Sequence, residues 1–185
     1  MTAPVAWVFV PDTVEGPTIG SSLPTHAFGS YEDCLQFVAE KQLSGLATAY
    51  VLDVSHLEWC WAQGLLKSPE RTRRIETFTS AYLPHAHFKH GEEIAEPSGP
   101  PDLFAPVGND KVERVWAFSG VLREGKEANI YSLPSVVFSR QEIALAWIQK
   151  HGASGALTRL ECSERRLQNP PRTTLFNVNR VENSE

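Results

Sequence analysis

The chain repeats itself, and no other feature limits so sharply what it can fold into. VAWVFVPDTVEGPTIGSSLPTHAFGSYEDCLQFVAEKQLSGLATAY begins at Val5, and RVWAFSGVLREGKEANIYSLPSVVFSRQEIALAWIQKHGASGALTRL begins at Arg114. Trp7 and Phe9 match Trp116 and Phe118 at a spacing of 109 residues. Leu23, Pro24, Phe28, Glu32, Leu35, Ser44, Gly45 and Thr48 match Leu133, Pro134, Phe138, Glu142, Leu145, Ser154, Gly155 and Thr158 at a spacing of 110. One residue of slippage in the loop between accounts for the change. A repeated stretch of this kind reads as one supersecondary unit used twice.

Each unit can be read physically. The alternation Trp7/Phe9, like Trp116/Phe118, has the period of a strand. A polar, glycine-containing loop leads to LPTHAF or LPSVVF, a second short strand with proline at its start, where no ladder donor is needed. Ser30 stands three residues before Asp33, and Ser139-Arg140-Gln141-Glu142 has the pattern of a capping box, so a helix is predicted to start at each. Apolar residues at Cys34, Phe37 and Val38, and at Ala144, Trp147 and Ile148, give each helix one stripe to lay on a sheet. Gly45 and Gly155 are expected in left-handed turns that end the helices. LATAYVLDV and ALTRLEC then close each unit as strands. The tail holds TTLFNVN, a candidate edge strand. The predicted fold class is α+β: tandem duplicated ββαβ-type units, each a small, mainly antiparallel sheet with one helix across it. Such a unit leaves one sheet face uncovered, able to dock onto its copy.

The first unit continues into a segment with no counterpart in the second. Ser55 to Leu66 reads as a short helix, and Ser68-Pro69-Glu70 as the start of another. Arg71, Arg73 and Arg74 form a basic cluster that reads as a solvated face. His85 and His87 then fall two apart, which puts both imidazoles on one side of a strand. Two such imidazoles can serve as zinc ligands, and a chain turn at Gly91 brings His90 near as a third. No fourth ligand is specified, so no metal and no cofactor is assigned. The domains are read as 1–91, the first unit; 92–112, a Pro/Gly-rich linker; and 113–185, a second, truncated unit.

Composition narrows the function. The 185 residues carry a formal charge of −5. Residues 1–96 hold 6 basic and 12 acidic side chains, whereas 97–185 hold 11 and 10. An acidic surface removes the electrostatic attraction to phosphate backbones, so nucleic acid is excluded as a general partner. An acidic half suits a basic protein partner instead. Cys34, Cys60 and Cys162 are odd in number with no CxxC pair, which fits a reducing compartment and argues against a zinc ribbon. The N-terminal apolar run is broken by Pro11 and Asp12, so neither a signal peptide nor a membrane span is predicted, and the localisation is read as cytoplasmic. No GxSxG, Walker A, HExxH or GxGxxG motif is present. Asp53 or Glu58 with His85 and His87 is the constellation an acid–base or metal-dependent enzyme would use.

Phe37-Val38, Leu43-Ser44-Gly45-Leu46, Thr48 and Tyr50, followed by Asp53, Trp59 or Trp61, Phe78-Thr79-Ser80-Ala81, His85, His87 and Gly91, resemble a small bacterial domain family of unknown function over about residues 5–91. The second unit keeps Trp147-Ile148, Ser154-Gly155, Leu157 and Thr158 of that pattern, but not the tyrosine, the aspartate or the histidines. By analogy of character, the resemblance suggests an immunity protein: a non-catalytic binder that neutralises a cognate toxin with a basic surface. The residues expected to contact that partner are Asp53, Glu58, Trp59, Trp61, His85, His87, Glu92 and Glu93. Open sheet edges also allow a homodimer, which is the reading as a self-associating scaffold.

Overall fold

The computed structural model describes residues 4–12, 23–55, 85–94, 112–124, 127–130 and 134–176. They form two antiparallel sheets and two helices, an α+β fold. The first sheet has the order β2-β1-β3-β4-β5, with β1 Val5–Pro11, β2 His26–Phe28, β3 Gly45–Val51, β4 His85–Lys89 and β5 Glu92–Glu93. The second contains β6 Arg114–Glu124, β7 Glu127–Ile130, β8 Val136–Phe138, β9 Gly155–Glu161 and β10 Arg172–Phe176, in the order β10-β9-β6-β7, with β8 also paired to β6. Helix α1 is Tyr31–Lys41 and helix α2 is Gln141–His151.

The registers of the two sheets correspond. Trp7 pairs with Phe28 on one side and Ala49 on the other, as Trp116 pairs with Phe138 and Arg159. Val5 faces Val51 where Arg114 faces Glu161. Gly45 faces Phe88 of β4, and Gly155 faces Phe176 of β10. The edge strand expected in the tail is therefore β10, and it takes the place in its sheet that β4 takes in the first. Glu92 and Glu93, assigned to the linker, instead pair with Lys89 and Phe88 as β5.

The helix ends correct two expectations. Ser30 caps α1, its Oγ accepting from the Asp33 N–H at 3.1 Å. The capping box at Ser139 does not form. The N-cap of α2 is Arg140, with no side-chain cap bond, because the Ser139 hydroxyl is turned to Asp53. The left-handed C-caps are Gln42 (φ 51°) and Gly152 (φ 55°), not Gly45 and Gly155. Those two glycines are required for close approach instead. A Cβ at Gly45 would sit 2.6 Å from Phe9 Cζ, and one at Gly155 would sit 2.8 Å from Phe118 Cζ, each also pressed against a carbonyl of the neighbouring strand.

Strand alternation sorts the core into layers. Val5, Trp7, Phe9, Ala47, Ala49, Ala86 and Phe88 face α1 and bury Cys34 and Val38. Phe118, Val136, Phe138 and Leu157 face α2 and bury Ala144 and Ile148. The opposite faces meet each other: Ala6, Val8, Ala27, Tyr50 and Leu52 of the first sheet join Val115, Ala117, Val137, Leu160 and Cys162 in one cluster. The uncovered faces anticipated from sequence are thus buried against one another, with a helix on each outer side. Burying a large apolar side chain contributes about 1.5–3 kcal/mol, so this shared layer is a major part of the stability.

Polar contacts tie the two sheets at matching places. The Val137 carbonyl of β8 accepts from the Asp53 N–H at 2.8 Å. The Ala27 carbonyl of β2, which holds the matching position, accepts from Arg166 Nη1 at 3.1 Å. Asp53, at φ 65°, also takes the Ser139 N–H (2.9 Å) and hydroxyl (2.6 Å) on its two carboxylate oxygens. The Arg166 guanidinium lies 4.5 Å over the Phe28 ring and donates to the Cys162 carbonyl at 2.8 Å. Arg166 belongs to a one-turn 3-10 helix, Glu164–Leu167, that follows β9.

Candidate functional site: the hairpin β4–β5

Strand β4 presents the histidines on one side, as the spacing predicts. Ala86 and Phe88 are buried against α1, which leaves His85, His87 and Lys89 on the other face. His85 stands opposite Thr48 and His87 opposite Leu46. His85 is half-buried and His87 exposed. His87 Nε2 lies 3.5 Å from Asp12 Oδ1, just past the end of β1, with both side chains about half exposed. An ion pair in that setting is worth little, typically under about 1 kcal/mol.

The chain turns after β4 at His90 and Gly91, both at positive φ (51° and 83°). This is the two-residue geometry that matches the twist of a hairpin. The turn is held against the end of α1. The His90 N–H donates to Ser44 Oγ at 2.9 Å and the Gly91 N–H to the Leu43 carbonyl at 2.9 Å. A Cβ at Gly91 would meet the Ala39 and Val38 carbonyls at 3.1 Å. On the return strand Glu92 and Glu93 are exposed, and Glu93 accepts the hydroxyl proton of Tyr31 from the first turn of α1. Burial first and that hydrogen bond second raise the Tyr31 pKa, so the phenol stays protonated. The Ile94 N–H donates to the His87 carbonyl at 2.8 Å and closes the hairpin.

Of the residues expected to contact a partner, the structure brings His85, His87, Glu92 and Glu93 onto this one hairpin. Asp53 is exposed, but both of its carboxylate oxygens are taken by Ser139. Glu58, Trp59 and Trp61, the basic cluster Arg71–Arg74 and the two predicted helices over 55–66 and from 68 onward lie outside the described residues. Sequence reasoning missed Asp12, which has no place in any periodic pattern and reaches His87 only through the β1–β3–β4 order. The chain does turn at Gly91, yet among the described residues no group of three or more His, Cys, Asp or Glu side chains is placed to hold a metal ion.

Cys34 and Cys162 are buried free thiols. Burial pushes Cys34 and Cys162 up to about 12, so both stay as protonated, unreactive core side chains. Among the described residues no helix is long and apolar enough to cross a membrane.

Residues 6–94 match the family model of a domain of unknown function, DUF7710. The match runs from β1 to the end of the β4–β5 hairpin, and so takes in the first sheet, α1 and the candidate site. No curated protein and no solved structure matches the chain.

Proposed function

We propose that the protein is a non-catalytic binding protein of the bacterial cytoplasm, an immunity protein that neutralises a cognate toxin by direct contact. The observation that carries this reading is the hairpin: exposed Glu92 and Glu93 on a strand whose turn is fixed by two hydrogen bonds to the short connection between α1 and β3, in the half of the chain that is net acidic. Glu92 shares the side of His85 and His87, Glu93 lies on the α1 side bonded to Tyr31, and this fixed acidic strand suits a basic protein surface, because little ordering entropy is lost on docking. Glu58, Trp59 and Trp61 belong to the same proposed contact set, the tryptophans as aromatic anchors. Asp53 supports the surface by fixing the end of β3 to the second sheet.

The same reading takes the molecule as a tandem duplication of one ββαβ-type unit. The corresponding registers at Trp7 and Trp116, the left-handed caps at Gln42 and Gly152 and the tight glycines Gly45 and Gly155 support it. In this view the first copy carries the partner surface.

Co-expression tests the function. The chain should rescue growth of cells expressing the toxin-like reading frame adjacent to its gene, and Glu92→Lys with Glu93→Lys should abolish rescue while the protein stays folded. Failure of the parent chain to rescue, or full rescue by the double variant, contradicts the proposal. The His87–Asp12 pair favours a second reading, an acid–base or metal-dependent enzyme using His85 and His87. Metal analysis of untagged protein, together with His87→Ala, separates it: loss of bound metal or of a measured activity supports the enzyme, and retention of toxin rescue supports the binder.

A further inference from the structure

The outer face of the second sheet carries a charge arrangement that the first lacks. Arg172, Arg159, Trp116 and Phe138 stand in one register row across β10, β9, β6 and β8. Alternation places the row on the side facing α2, since Phe118, Leu157 and Phe138 pack there. In the first sheet the matching row is Ala49, Trp7 and Phe28, all buried, with the Trp7 ring closed over by Tyr31 at 4.6 Å between centroids. Gln141 begins α2 where Tyr31 begins α1, and Trp116 remains half-exposed.

Two arginines directly opposite each other on neighbouring strands repel, and such pairs destabilise a sheet. The Arg159 and Arg172 guanidiniums have no hydrogen bond or ion pair among the described residues. The carboxylate nearest along the strand, Glu161, is buried and held by Arg114 Nε at 2.6 Å. A dianion placed between the two guanidiniums would remove the repulsion. Each planar fork donates two parallel N–H groups, so a tetrahedral oxyanion can satisfy both, whereas a single carboxylate fills one. The adjacent indole offers an apolar face to whatever group the anion carries.

We propose that Arg159 and Arg172, flanked by Trp116, form a binding site for a phosphate dianion, free or as the monoester of an aromatic group. The site lies on the second sheet and does not depend on the toxin-binding reading.

Calorimetric titration of the full-length protein at low ionic strength tests it, with inorganic phosphate and phenyl phosphate as probes. Phosphate should saturate at one equivalent, with a dissociation constant of about 1 mM or tighter. Arg172→Ala and Arg159→Lys should each weaken binding at least about tenfold, the second by losing the fork while keeping the charge. Arg165→Ala, an exposed arginine outside the row, should leave binding unchanged. Tighter binding of phenyl phosphate assigns the ester, and equal binding of the two probes assigns free phosphate and removes Trp116 from the site. No saturable binding, or an affinity unchanged in both Arg172→Ala and Arg159→Lys, overturns the proposal.

Discussion

The two sheets share a register but differ in what fills it. At the start of β1 the cross-strand pair is Val5 with Val51; at the start of β6 it is Arg114 with Glu161, bonded at 2.6 Å with Glu161 only 6% exposed. His26 stands in β2 where Val136 stands in β8. The tie to the opposite sheet is a guanidinium at Ala27 and a backbone amide at Val137. The two sheets therefore carry apolar or charged chemistry at equivalent register points, and the buried carboxylate of Glu161 is matched by Arg114. The layer between the sheets keeps small and aliphatic side chains from both, with Tyr50 its one aromatic among the described residues, because packing there depends on volume.

Substitutions at four points measure how far the two sheets are equivalent. The largest effect is expected at Phe28. Phe28→Ala should cost about 4 kcal/mol in urea unfolding, and more than Phe138→Ala, because Phe28 also carries Arg166 on its face. Equal losses would show that the Arg166 contact contributes nothing.

Arg114→Ala should cost about 2–3 kcal/mol by leaving the buried Glu161 without its partner, whereas Val5→Ala loses only packing. Converting the pair to the first sheet's residues, Arg114→Val with Glu161→Val, should recover most of that loss. No recovery would mean that the second sheet cannot accept the apolar pair.

Asp53→Ala should cost about 2 kcal/mol, since it removes the acceptor for two hydrogen bonds at the start of α2. Ser139→Ala should cost about 1 kcal/mol, and the double variant less than the sum, because both act through one contact. Additive losses would show that the two residues act separately.

The last effect is a pH dependence confined to the first sheet. Burial first, and the Arg166 charge second, lower the His26 pKa from 6.5 to about 4. The unfolded chain then binds a proton that the folded chain refuses between those values. The contribution of His26 is fully present above about pH 6.5 and is lost as pH falls to about 4. It amounts to about 2 kcal/mol after allowance for partial exposure. His26→Val, which copies Val136, should flatten the change in urea midpoint between pH 7 and pH 5. An unchanged slope would contradict the assignment.

Much of the fold was legible in residue patterns because local chemistry and packing agreed. Trp7/Phe9 and Trp116/Phe118 alternated as strands, and the stripes at Cys34/Val38 and Ala144/Ile148 marked the buried sides of both helices. What misled was chemistry that depends on distant partners. Ser139 has every local feature of a cap, but Asp53 reaches it from the other sheet. Gly45 and Gly155 look like helix terminators, yet their need for glycine comes from Phe9 and Phe118 on the adjoining strands. For the candidate site, the shared side of His85 and His87 followed from strand period alone. The pairing of Glu92–Glu93 with β4, and the approach of Asp12, followed from strand order, which no local pattern encodes.

The two sheets form one cooperative body through the layer they share. Native-state amide hydrogen exchange on the full chain tests it most directly, by comparing Val8 in β1 with Ala117 in β6. Both amides should show the same opening free energy, equal to that of global unfolding. An opening free energy for one strand several kcal/mol below the other would contradict it.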